Sequence, residues 1–269
     1  MNLKRFFAAT LLILLVSFTV QAAPVVDLAL VLATDVSGSV DATDFDLLKT
    51  GYVTAFNNLA LVGAIQGGTL GQIAVTLVYW SDAAAVAVPW TIISDAASAS
   101  AFATAVNTAA RPFSSGTGMV NAINFSAGLF GAAPEATRQV IDIAGDGSEG
   151  NACSFSQNNC VPLQNARDAF LSGDANRTIN AIWIQDRTFF GVNPGDTINA
   201  LDYGTTNVIG GPGAFQNVVS GFDQFEEAIE AKLIREVVPP GEVPEPSTYA
   251  MLAGGLGLLG IARLRRGKA

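Results

Sequence analysis

The chain has 269 residues, half of them apolar, with 23 acidic against 14 basic side chains and no histidine. That length supports one full hydrophobic core rather than two. The missing histidine excludes imidazole acid–base catalysis, and the 22 acidic against 8 basic residues between positions 23 and 242 argue against nucleic acid or an anionic membrane as partner.

Both ends are set apart from the folded region. Residues 1–22 carry Lys4 and Arg5, an apolar run over 6–20, and a cleavage-type ending at Val20-Gln21-Ala22. The reading is a secretory signal peptide; a membrane anchor is the alternative, since about fifteen apolar residues approach a short span. At the other end, 239–248 (PPGEVPEPST) is too rich in proline for a helix and reads as a stalk. The apolar segment 249–262 is short beside the roughly 20 residues of a permanent span. Arg263, Arg265, Arg266 and Lys268 in 263–269 would hold the end of the chain on the cytoplasmic side. Stalk, short apolar segment and basic tail together form a stop-transfer or sorting element.

The folded region is read as residues 23–238. A nearly continuous aliphatic run at 27–34 predicts a central strand covered on both faces. Phe45, Leu48, Tyr52, Val53, Phe56 and Leu59 recur at helical spacing and predict one helix over 43–61, capped by Thr43 or Asp41. Strands follow at 72–80 and at 84–93, the latter broken by Pro89 and therefore at an edge. Helices are predicted over 95–110 and 118–129, a short strand over 139–144, and a helix over 162–171 with Pro162 in its first turn. A strand at 178–185, a helix at 194–203, a short strand at 207–209 and a closing helix at 222–238 complete the order. Strands alternating with helices predict an α/β, doubly wound, mostly parallel sheet with helices on both faces. Such sheets bind ligands beyond the carboxyl ends of their strands, where the strand order reverses.

Those ends carry the informative residues. Asp35, Ser37 and Ser39 follow the first strand, with Gly38 between the serines to let the backbone turn. Thr117 lies in Ser114-Ser115-Gly116-Thr117-Gly118, and Asp146 lies in Gly145-Asp146-Gly147 after a later strand. Two carboxylates and three hydroxyls from three loops are all hard oxygen ligands. They suit magnesium, which wants near-octahedral oxygen and keeps positions for water or an outside ligand. Manganese or calcium would meet the same donors. With few anionic ligands of its own, such an ion would attract one more carboxylate from a partner. Taken singly, each motif is also an ordinary helix cap or turn. Asp142, inside a strand, reads as structural. Cys153 and Cys160 enclose a polar loop; in an oxidising compartment they would bridge, and free thiols are the alternative.

On these residues the chain resembles a von Willebrand factor type A domain of a bacterial branch of unknown function, DUF1194. Asp35-Val36-Ser37-Gly38-Ser39 stands in place of the first metal-binding motif of that fold, Thr117 in place of its lone threonine, and Asp146 in place of its last aspartate. The phrases at 26–33, 73–76 and 208–215 carry the narrower likeness. The resemblance implies a metal-ion-dependent adhesion site and a six-stranded sheet whose third strand runs antiparallel at an edge. Relatives often have Thr or Ser where Gly145 stands, so a supporting hydroxyl is missing here. The tail resembles a PEP-CTERM signal, with Val243, Pro244, Glu245, Pro246, Ser247 and Thr248 in place of its motif. That implies an exosortase partner, an inner-membrane-tethered precursor, and release to the periplasm, cell surface or exopolysaccharide matrix of a Gram-negative bacterium. Membrane contact would run only through the tail.

The function expected is a non-catalytic binding module that engages a protein or acidic ligand through its cation. A structural matrix protein, with a metal that only stabilises the fold, is the alternative. A metal-dependent hydrolase fits poorly: Ser37 stands where a general-acid aspartate would be needed, and no lysine is near.

Overall fold

The computed structural model describes residues 25–155, 157–185 and 199–238. The predicted signal peptide, the start of the helix at 194, the stalk with its motif, the short apolar segment and the basic tail lie outside them.

Strand β1 (Val26–Asp35) is buried along all ten residues. Its side chains alternate between two cores. Leu28, Leu30 and Leu32 face helices α1 (Ala42–Asn57), α2 (Leu59–Gln66), α3 (Ala96–Thr108) and α7 (Phe225–Val237). Ala29, Val31 and Ala33 face α4 (Met119–Leu129), α5 (Val161–Leu171) and α6 (Ala200–Asn207). Cover on both sides is what a strand without polar alternation requires.

β1 pairs in parallel with β2 (Ile73–Trp80) on one side and with β4 (Ala136–Gly145) on the other. β5 (Arg177–Ile184) and β6 (Gln216–Val219) continue in parallel beyond β4. β3 (Ala84–Ile93) lies antiparallel at the opposite edge, where the missing amide of Pro89 costs no inner ladder bond. The order is β3-β2-β1-β4-β5-β6. The six-stranded doubly wound sheet and its antiparallel third strand are as expected. Because the chain leaves β1 for β2 on one side and returns as β4 on the other, the loops after β1 and β4 diverge and leave a crevice.

Two elements differ from the sequence reading. The helix over 43–61 is two helices, because Asn58 turns extended and caps the second, accepting from the Ala60 amide at 2.8 Å. Its side-chain Nδ2 donates to Glu230 Oε1 at 2.6 Å, which ties the break to α7. Where a strand is expected at 207–209, α6 ends at Asn207 and a turn follows. Asn207 is fully buried and accepts from the Cys160 amide at 2.8 Å, and Val208 packs into the second core. The turn through Gly211, at φ 92°, then delays the last strand to Gln216. Helix start signals were legible: Asp41 caps α1 by accepting from the Thr43 and Asp44 amides.

Asp142 is structural, as read. It lies buried in β4, 2.5 Å from Lys232 of α7, whose ammonium also meets Glu236 at 2.7 Å. Burial works against that ammonium, but the two carboxylates overcome it and raise its pKa.

Candidate metal centre

The β1 carboxyl end delivers Asp35 into the crevice. The Ser37 amide donates to Asp35 Oδ1 at 2.7 Å, folding the loop back over the strand end. The three turns are then stitched by backbone bonds: Val36 to Trp80 O at 2.8 Å, Gly38 to Ser115 O at 2.7 Å, and Gly150 to Thr117 O at 2.8 Å. Gly38 does not adopt a left-handed conformation, so the expected need for glycine freedom is not what shapes this turn.

All five predicted oxygen ligands come together. Ser37 Oγ lies 3.2 Å from Ser39 Oγ, Ser39 Oγ donates to Asp146 Oδ1 at 2.9 Å, and Thr117 Oγ1 reaches Ser37 Oγ at 3.4 Å. Asp35, Ser37 and Asp146 are each about 1% exposed. Among the described residues, no group of three or more His, Cys, Asp or Glu side chains is placed to hold a metal. The carboxylate content of this cradle is two, and hydroxyls supply the rest.

Its electrostatics are unfavourable as they stand. Asp35 Oδ2 is buried and has no hydrogen-bond partner among the described residues. Burial first, and Asp146 second, push the Asp35 pKa well above the carboxylate range; the Ser37 hydrogen bonds and the Arg111 charge offset this only in part. A hard cation between the two carboxylates would remove both penalties, so the donor set fits such an ion. Gly145 belongs to the same fit. A β-carbon there would sit 3.3 Å from both Asp35 Oδ2 and Trp80 Cζ2, so glycine leaves the carboxylate its space.

Three residues that hold the loops in place were not singled out from the sequence. Arg111 lies just beyond the helix predicted over 95–110. Its guanidinium donates to the carbonyls of Val36, Ser37 and Val40, at 2.7 Å each, clamping the whole serine loop from outside. Glu149, buried, accepts from the Val120 amide at 2.7 Å and from Asn151 and Ala152. It thereby caps α4, which Gly118 cannot do, and joins the Thr117 loop to the Asp146 loop. Asp82 accepts from Ser115 and Asn151, and these bonds lower its pKa, Ser115 first. An acidic residue three positions past Asp146 was the only available hint for Glu149; nothing local marked Arg111. Cys153 and Cys160 are bridged, which closes the loop that follows Glu149.

Residues 25–241 match the family model described as Protein of unknown function (DUF1194). The chain belongs to that family. Residues 242–266 of this DUF1194 protein match the PEP-CTERM protein-sorting motif. Among solved structures, it is similar to a von Willebrand factor type A protein from Catenulispora acidiphila, at 16% identity and TM-score 0.54, over 79% of this chain and 43% of that one. It is similar also to the pilus adhesin SpaC from Lactobacillus rhamnosus GG in its open conformation, at 13% identity and TM-score 0.53, over 80% of this chain and 30% of that one. At such identities the likeness establishes the von Willebrand factor type A fold. The DUF1194 chain spans less than half the length of either structure. No curated protein matches it.

Proposed function

We propose that this DUF1194 protein is an exported, non-enzymatic binding module that engages a protein or acidic ligand through a divalent cation held by Asp35, Ser37, Ser39, Thr117 and Asp146. The observation that carries the reading is Asp35 Oδ2, a buried carboxylate oxygen without a hydrogen-bond partner among the described residues, beside a second carboxylate and a chain of three hydroxyls. Magnesium suits the donors best, with manganese or calcium as substitutes. When bound, the ion would supply a Lewis-acidic position open toward the crevice for an incoming carboxylate. This chain's own residues do the remaining work. Asp35 and Asp146 neutralise the ion only as far as two charges allow, the hydroxyls position it, and Arg111 and Glu149 keep the three loops in register.

Export and tethering are part of the same proposal. A signal peptide at 1–22, a domain at 23–238, a stalk at 239–248, an apolar segment at 249–262 and a basic tail at 263–269 would carry the domain across the inner membrane. The match of 242–266 to the PEP-CTERM motif supports processing by an exosortase and a final place at the cell surface or in the matrix. The described residues contain no helix long and apolar enough to cross a membrane. The adhesin of similar fold supports a binding role over catalysis, and Ser37, engaged with Ser39 and Thr117, stands where a hydrolase would need an acid.

Calorimetric titration of the chain with magnesium tests the reading. Saturable binding that disappears in Asp35→Ala supports it, and equal binding by both proteins overturns it. Recovery of an envelope component on the wild-type protein, released by a chelator, separates adhesion from a purely stabilising ion.

A further inference from the structure

At the opposite end of the sheet, near the amino ends of β4 and β5, lies a cavity of about 200 Å³. Arg138, Thr178, Asn180, Phe215, Arg235 and Glu236 line it. Seven basic residues fall within the described part of this acidic chain, and Arg138, Arg235 and the adjoining Lys232 are three of them. Lys232 is neutralised by Asp142 and Glu236, so the cations that matter to the hollow are the two arginines.

The polar groups of the wall divide into satisfied and available. Glu236 is engaged on both oxygens, taking Lys232 on Oε1 at 2.7 Å and Asn180 on Oε2 at 2.8 Å. Asn180 is engaged at both ends, since its carbonyl oxygen accepts from the Phe215 amide at 2.7 Å. The guanidiniums keep whole N–H groups spare. Arg138 uses only Nη2, toward the carbonyls of Glu236 and Val237. Arg235 stacks on the Phe215 ring at 3.8 Å and has no ion-pair or hydrogen-bond partner among the described residues. Packing on Phe215 orients its planar fork at the cavity mouth while leaving its N–H groups unclaimed.

We propose that this cavity binds a small monocarboxylate between Arg138 and Arg235. A planar carboxylate matches the guanidinium fork, which donates two parallel hydrogen bonds to it. Glu236 lines the wall, Asp142 pairs with Lys232, and Asp27, bonded to the Leu70 amide, also acts on Arg138, so three carboxylates balance the three cations. Such a near-neutral wall takes one added negative charge on its spare guanidinium donors more readily than two. At about 30 Å³ per water the space holds a ligand of only several heavy atoms. The carboxylate has two sources: a free organic acid, or Glu242 of this chain, four residues beyond Val238 at the cavity rim.

The test is calorimetric titration of the full chain in detergent with sodium lactate, at low salt in buffer freed of divalent ions. Wild type, Asp35→Ala, Arg235→Gln, Arg138→Gln and Glu242→Gln are compared. Lactate should bind saturably to wild type and to Asp35→Ala alike, which separates this site from the metal centre. Arg235→Gln, on the surface, should weaken binding about tenfold or more, as loss of a charge-assisted pair does. Arg138→Gln should do the same and is read only if its thermal transition persists. Binding seen in Glu242→Gln but not in wild type supports the site and assigns its source to the chain's own tail. No saturable binding in either overturns the proposal, as does binding unchanged in Arg235→Gln. Phosphate or sulfate binding more tightly than lactate overturns the monocarboxylate assignment.

Discussion

Replacing Asp35 by asparagine should stabilise the metal-free protein while abolishing its response to magnesium. Asparagine keeps an oxygen for the Ser37 amide, now 2.7 Å from Oδ1, and is neutral without having to bind a proton at the oxygen that has no hydrogen-bond partner among the described residues. An uncompensated buried group of this kind costs about 1–3 kcal/mol. In a domain of this size each kcal/mol moves the melting temperature by about 2–4 °C, so the gain is about 2–12 °C. Wild type should gain about 2.7 kcal/mol when magnesium reaches a hundred times its dissociation constant, and the variant nothing. The pH dependence carries a second sign. Burial and Asp146 raise the folded pKa of Asp35 above its unfolded value, so the metal-free native state holds the extra proton. That contribution is fully present below the unfolded pKa and is lost as pH rises through the folded one. With magnesium the slope reverses, because binding needs both carboxylates ionised. Thermal unfolding by circular dichroism, with and without magnesium and across the acid range, reads all three effects. A metal-free variant less stable than wild type, or one that keeps the magnesium shift, would refute the reasoning.

Arg111→Gln should lower magnesium affinity about tenfold, equivalent to about 1.4 kcal/mol, by releasing the carbonyls of Val36, Ser37 and Val40; calorimetry checks it, and an unchanged constant would mean the serine loop holds itself. Lys232→Met should cost about 3–5 kcal/mol by leaving Asp142 and Glu236 buried without their cation. Because burial already pushes Asp142 up to about 6 beside that lysine, the loss should shrink as the pH is lowered toward that value, as urea denaturation would show. Cys153→Ser should cost roughly 2.5 kcal/mol from the opened loop of seven-residue separation, measured by unfolding under oxidising conditions. The same variant should leave magnesium affinity nearly unchanged, since Glu149 rather than the bridge secures the Thr117 and Asp146 loops.

What could be read from the chain followed the physics of neighbours in sequence. Uninterrupted aliphatic residues marked β1 because a strand covered on both faces has no polar side to show. Pro89 marked an edge because it lacks a ladder donor. Asp35, Ser37, Ser39, Thr117 and Asp146 were legible because each falls just after or between predicted elements, and the winding rule sends those ends to one crevice. Reading failed where distant contacts outvote local propensity. Val208 and Ile209 have strand-forming side chains, yet Asn207 is held in α6 by Cys160 and Asn158, far back along the chain. Asn58 breaks a helix whose apolar spacing continues through it, and it does so facing Glu230 of α7.

The sequence by itself therefore determined the α/β class, the direction of most strands and the identity of the oxygen donors, since these depend on periodicity and on residue type. Only the tertiary structure decided that Arg111 clamps the serine loop, that Glu149 caps a helix it does not precede, and that Arg138 and Arg235 share a cavity. The physical reason is the same each time. A side chain long enough to satisfy backbone groups in another loop leaves no periodic trace where it is encoded, and its partner is set by packing.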